Sequence, residues 1–281
     1  MLKLAMTLSE RNTFFKVAMV FCSIVTLLVI AASFRAIPIY PLMEENTHRP
    51  GYFIQLITGL LLETDYLAVH ASLALAVLFS LISMILIHAF FERTSAPEIL
   101  YIALFAFSLS FEIIRLIVPL HLYNVLPLFY LTTAARVLLF ARYFSIFSLF
   151  TASVCAAGLE IQRTRNVVLF LLVPSLVISL GVPVDAQTWD TCFNFAAGYA
   201  SMFLMIEIIV FFGPVISFFV AAHNRRSKEY YYVGIGVAIA LTGRNVLLGV
   251  DNWAGPVIGI LFLTFGTWLM CSRLHKIHLW L

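Results

Sequence analysis

The chain has 281 residues, 62% of them hydrophobic and 11% charged, with a formal net charge of +3 at pH 7 and a mean hydropathy of +1.01. Soluble domains carry roughly 25% charged residues, so this composition excludes an ordinary soluble enzyme and describes an integral membrane protein. The small positive charge, with no basic run longer than Arg225-Arg226-Ser227-Lys228, excludes a nucleic-acid partner.

A helix crossing the hydrocarbon core needs about 20 apolar residues. On that basis the sequence predicts an all-α polytopic membrane protein of about eight transmembrane helices in a single domain, 1–281. The expected spans are roughly 14–34, 67–90, 98–120, 126–157, 166–184, 198–222, 230–250 and 254–273. The first resembles a secretory signal in position, but its apolar run exceeds the 7–15 residues of a signal core, which points to an uncleaved span. Residues 36–65 then form the only long extracytoplasmic connection. "IPIYPLMEENTHRPGY" is a Pro-punctuated loop, and "FIQLITGLLLETD" is expected to form a short helix resting in the interface. The string Glu44 to Arg49 spells the EExxxR pattern of membrane-embedded CAAX-type proteases. In that family the glutamates lie on a membrane helix with histidine motifs on others, and neither condition holds here.

The second span carries His70 and His88 at its two ends. With His121 and His223 these could in principle hold haem, but histidines at helix ends are ordinarily polar caps, and no cofactor is expected. The third span, "LFAFSLSFEIIRLIVPL", contains Glu112 and Arg115 three residues apart, on one helix face. The fourth has Arg136 at its outer mouth and Arg142 deeper in. The fifth contains Pro174 and leads to a loop with Cys192. The sixth carries Glu207 and the break Gly213-Pro214. The seventh holds Thr242, Gly243, Arg244 and Asn245, a polar and closely packable patch.

Basic residues alternate along the chain as the positive-inside rule requires. Lys3, Arg11, Lys16, Arg93, Arg163, Arg165, Arg225, Arg226, Lys228, Arg273 and Lys276 fall on one side. Glu44, Glu45, Glu63, Asp65, Asp185, Asp190 and Asp251 fall on the other, with Arg35 and Arg49 as exceptions. Both termini are therefore expected in the cytoplasm and the protein in the inner (plasma) membrane. Trp189, Trp253 and Trp280 sit near expected interfaces, as aromatic belts do.

Ionisable groups inside a bilayer are costly and mark sites or inter-helix pairs. At 1.5 Å per residue, Glu112, Arg115, Arg142, Glu207 and Arg244 lie about 18 to 24 Å from the cytoplasmic edge, near one level in the outer half. Three deep arginines against two deep glutamates leave one positive charge over. An unbalanced buried guanidinium calls for an anion, and arginine suits bidentate recognition of carboxylate or phosphate. Glu112, Arg115, Arg136, Arg142, Glu207, Arg244 and Asn245 are thus the candidate ligand-binding residues. The alternative is purely structural: Glu112 and Glu207 tie helices together, Arg115 snorkels outward, and Arg244 reaches Asp251 on the same face.

The four lysines, Lys3, Lys16, Lys228 and Lys276, all avoid the middle of a span, which excludes a retinal Schiff base. No Walker A, GxSxG or HExxH motif is present, and the cysteines show neither metal nor disulfide spacing. No catalytic or metal-binding residue is therefore expected. The sequence favours a receptor-like or ligand-sensing module that takes a small anion or lipid headgroup and signals through a partner chain. A secondary transporter of an organic anion is the main alternative, and a lipid-modifying membrane enzyme the next.

Overall fold

The computed structural model describes residues 8–40, 63–92, 94, 96–158, 164–198 and 200–279. Residues 53–62 of the expected interfacial helix, the Glu44 to Arg49 string, Arg93, Arg163 and Trp280 lie outside the described residues, and 63–65 are not helical.

Among the described residues the chain is all-α apart from one small hairpin. Its helices are α1 (Leu8–Ala36), α2 (Tyr66–Phe91), α3 (Pro97–Ser108), α4 (Ile117–Asn124), α5 (Leu128–Ala156), α6 (Thr164–Gly181), α7 (Ala200–Asn224), α8 (Lys228–Gly249) and α9 (Ala254–Leu279). A 3-10 turn, Ile37–Ile39, extends α1, so the first helix continues past the point where a loop was expected. Among the described residues seven helical segments are long and apolar enough to cross a membrane, with α3, the 3-10 segment after it and α4 together forming one of them. The expected span 166–184 corresponds to α6, whose apolar part, Val167–Gly181, is shorter.

Local chemistry sets the helix ends. Asp65 caps α2, its carboxylate accepting from the Leu67 amide at 2.7 Å. Pro97 opens α3, where its missing N–H costs nothing. At the far end of that span Val125 turns left-handed at φ 45° and stops α4.

The two ends of the bundle differ in charge. At the first, Arg11 donates to the carbonyls of Phe91 at 2.7 Å, Glu92 at 3.3 Å and Thr94, covering the end of α2. Glu229 there meets Arg273 at 3.1 Å and Lys276 at 3.0 Å. At the other end, strands β1 (Val184–Trp189) and β2 (Phe195–Ala197) pair antiparallel, with Val184 opposite Ala197 and Trp189 opposite Phe195. The connection expected as a plain loop between the fifth and sixth spans is thus a hairpin. Asp190 shapes the hairpin tip by accepting from the Asn194 backbone at 2.7 Å and side chain at 2.8 Å. Phe193, at φ 59°, is fully buried, stacked on Tyr66 (5.7 Å) and Tyr40 (6.1 Å). Thr191 donates to Asp251 at 2.7 Å, and Trp253 donates to Asp65 at 2.7 Å. The hairpin is therefore pinned to the start of α2 and to the connection after α8, which Trp253 ties to Asp65.

Helices α8 and α9 pack through glycines. A Cβ on Gly259 would meet the Leu247 backbone at 2.6 Å, and one on Gly266 would meet the Ala240 amide at 2.5 Å; Gly243 lies equally close to Leu263. Small residues at such crossings let backbones approach, which replaces the missing hydrophobic drive in lipid with close van der Waals contact.

Candidate functional site

The third span does not run as an uninterrupted α-helix. It tightens into a 3-10 helix at Leu109–Leu116 before α4 resumes. Ser108 and Ser110 hydroxyls donate back to the carbonyls of Phe105 and Phe107, each at 2.7 Å, within this transition. At three residues per turn, side chains three apart eclipse. Leu109, Glu112 and Arg115 consequently line one buried edge of the span. Glu112 Oε2 lies 2.7 Å from Arg115 Nε, and both side chains are 1% exposed. Arg115 therefore does not snorkel to the headgroups. It spends Nη1 on the carbonyls of Leu248 at 2.7 Å and Cys192 at 3.4 Å, linking the span to the end of α8 and to the hairpin tip.

Arg142 approaches the same carboxylate from α5, with Nε 3.9 Å from Glu112 Oε1 and the side chain 23% exposed. Its Nη2 donates to the Asn194 side chain, the residue whose backbone and amide are held by Asp190. Arg244, on α8, is 5% exposed, and its Nη1 has only a long 3.4 Å contact with the neighbouring Asn245. It does not reach Asp251, which accepts from Thr191 instead.

These groups border one cleft of about 270 Å³, lined by Arg115, Arg142, Asn194, Glu207, Arg244 and Asn245 among its polar residues and by Ile146, Phe211, Leu241 and Leu248 among its apolar ones. Arg115 Nη2 and Arg244 Nε are buried and meet no hydrogen-bond acceptor among the described residues. Glu112 lies behind the arginines and already serves two of them. Glu207 is exposed on the α7 wall and makes no ion pair within 4 Å among the described residues, although its charge lies within electrostatic reach of Arg244. It is not the partner of Arg142 or Arg244 that a purely structural tie requires.

Five of the seven candidate residues thus line the cleft, and Glu112 braces it from behind. Arg136 stands apart. It donates to the carbonyls of Leu180 at 2.7 Å and Ser179 at 3.2 Å, covering the end of α6. Asn194 is a cleft residue that the sequence reading missed. Only the Asp190–Asn194 spacing, a side chain able to close a turn on itself, hints at it.

His70 is likewise engaged. Its Nδ1 lies 2.8 Å from the Tyr40 hydroxyl and its Nε2 lies 2.7 Å from Ser33 Oγ. Since Ser33 donates to the Val29 carbonyl at 2.8 Å, Nε2 carries the proton and Nδ1 accepts from Tyr40. Both ring nitrogens are occupied in tying α1 to α2.

Chemically, the cleft presents guanidinium donors with unused capacity, which a bound anion would meet in charge-assisted hydrogen bonds. No known protein family matches this chain, and no curated protein is similar to it in sequence.

Proposed function

We propose that this chain is a receptor-like, ligand-sensing membrane module that captures a small anion or lipid headgroup in the Arg115–Arg142–Arg244 cleft and signals through a partner chain. In this reading the protein is one bundle of eight spans in the inner (plasma) membrane with both termini in the cytoplasm. The basic end then faces the cytoplasm and the hairpin end faces outward, following the positive-inside rule. The contact of Arg136 with the end of α6 supports counting α6 as the eighth span, because it sets α6 antiparallel along α5.

The observation that carries the anion reading is the pair of buried guanidinium nitrogens, Arg115 Nη2 and Arg244 Nε, that border the cleft without an acceptor among the described residues. Leaving such groups unmatched costs roughly 1–3 kcal/mol each or more, and an anion removes that cost. The test is thermal stabilisation of the purified full chain by inorganic phosphate and by citrate. Both Arg142→Gln and Arg244→Gln should abolish the stabilisation; an unaltered response in both variants refutes the site.

A second reading, transport of an organic anion, is favoured by one observation: the span bearing Glu112 and Arg115 is interrupted by eight residues of 3-10 helix. Broken helices with polar groups at the break are the usual architecture of secondary-transporter sites. Uptake into proteoliposomes separates the two. Concentrative flux of a labelled anion, abolished by Glu207→Gln, sinks the receptor reading.

A further inference from the structure

The cleft has two electrostatic poles, and the second is unexplained by an anion alone. Its floor holds Arg115, Arg142 and Arg244 against the single carboxylate of Glu112, which leaves two positive charges over. Its α7 wall holds Glu207, a carboxylate without an ion-pair partner among the described residues. A plain monoanion or dianion seated on the arginines would share the cleft with that carboxylate and be repelled by it. Between the poles the lining is apolar, from Ile146, Phe211, Leu241 and Leu248. The volume of about 270 Å³ falls below the roughly 300–1,000 Å³ of pockets for drug-sized ligands.

We propose that the ligand is a small organic anion that also carries an ammonium group: two negative charges at one end for the arginine floor, an ammonium for Glu207 at the other, and a short hydrocarbon link between. A phosphate monoester of a short amino alcohol satisfies this description. Its charges match the two surplus positives of the floor and the one negative of the wall. The inference rests on the anion reading above and specifies its ligand. It assigns Glu207 to recognition of the ammonium, and Arg244 and Arg115 to the anionic end through their free nitrogens.

The test uses matched pairs that differ only in the amine: O-phosphoethanolamine against ethyl phosphate, and 3-aminopropyl phosphate against propyl phosphate. Binding to the purified full chain is read by calorimetry. In at least one pair the aminated ligand should bind tenfold or more tightly than its partner. Glu207→Gln should erase that ratio while leaving the affinity for ethyl phosphate or propyl phosphate the same or higher. Glu207→Asp, which keeps the charge, should retain part of the ratio. Competition of O-phosphoethanolamine by phosphatidylethanolamine nanodiscs, whose phosphodiester carries a single negative charge, overturns the requirement for two negative charges; no competition supports a free phosphate monoester. Equal affinities within both pairs, or a Glu207→Gln variant that weakens all four ligands alike, overturn the inference and leave the anion site standing. Binding of none of the four overturns both.

Discussion

Glu112→Gln is the most informative single substitution. The carboxylate faces Arg115 at 2.7 Å and Arg142 at 3.9 Å, and only 1% of the Glu112 side chain is exposed. At an effective dielectric of about 20 these two attractions are worth roughly 6 and 4 kcal/mol before desolvation is subtracted. Removing one partner of a buried pair costs about 3–5 kcal/mol net, because the survivor stays buried and charged. Arg115 cannot escape that penalty, since its Nη1 is held by the Leu248 carbonyl at 2.7 Å. At about 2 °C per kcal/mol for a chain of this size, the expected fall is roughly 6–10 °C. The assay is thermal unfolding of the detergent-purified protein, followed by near-ultraviolet circular dichroism at a fixed scan rate. The control is the double variant Glu112→Leu/Arg115→Met, which removes both charges and should recover most of the loss. A fall below about 2 °C for the single variant, or a double variant no better than the single, refutes the buried-pair reasoning.

Four further outcomes follow from the geometry. Gly243→Ala forces a Cβ into the α9 backbone near Leu263 and Phe262; it should destabilise by about 1–3 kcal/mol or more, seen as a lower unfolding temperature, whereas Gly249→Ala, which meets nothing within 4 Å, should be nearly silent. Phe193→Ala empties the stack on Tyr40 and Tyr66 and should cost about 3–5 kcal/mol, with the hairpin amides losing hydrogen-exchange protection first. Burial, reinforced by the charge of Asp190, pushes the Cys192 thiol up to about 11, so maleimide labelling at this position should stay slow at pH 8 and accelerate only as the pH approaches that value. Asp185 gives the opposite sign: hydrogen bonds from Gln187 and Thr188 hold its carboxyl below the ordinary value. The turn it braces should therefore keep its protection above about pH 4 and lose it as the pH falls through the lowered value.

What could be read from sequence was one-dimensional. Glu112 and Arg115 at a spacing of three announce a shared face, and depth along each span brings Arg142, Glu207 and Arg244 to one level. Direction around a helix was the weaker inference. Arg136 and Arg142 are six residues apart, about 600° of rotation, so they point to different sides of α5. Arg142 accordingly enters the cleft while Arg136 covers the end of α6. The hairpin escaped notice because its strands are six and three residues long with a bulge between, too short for a period-two signal. Asn194 reaches Arg142 only because that hairpin folds back over the bundle. The 3-10 segment was hidden too, since its composition matches the α-helix on either side.

The cleft joins one fixed wall to one divergent wall, an asymmetry that would serve the proposed recognition. The floor is fixed: Arg115 is tied to the end of α8 and to the hairpin, and α8 is locked to α9 along its glycines. On α7 the residues that share the face of Glu207 change steadily along the helix. Glu207 is exposed, Phe211 half-buried, and Val215 and Phe218 buried. The helix thus leaves the bundle progressively towards the hairpin end, beyond Gly213-Pro214 inside it. A proline there removes an internal hydrogen bond and marks the natural bending point. A ligand that bridges the arginine floor to Glu207 would contact both walls at once and favour the arrangement in which they lie closer. Binding free energy can shift a helix only by its difference between two positions, and Glu207, alone among the charged residues of the cleft, rides on the wall with room to move.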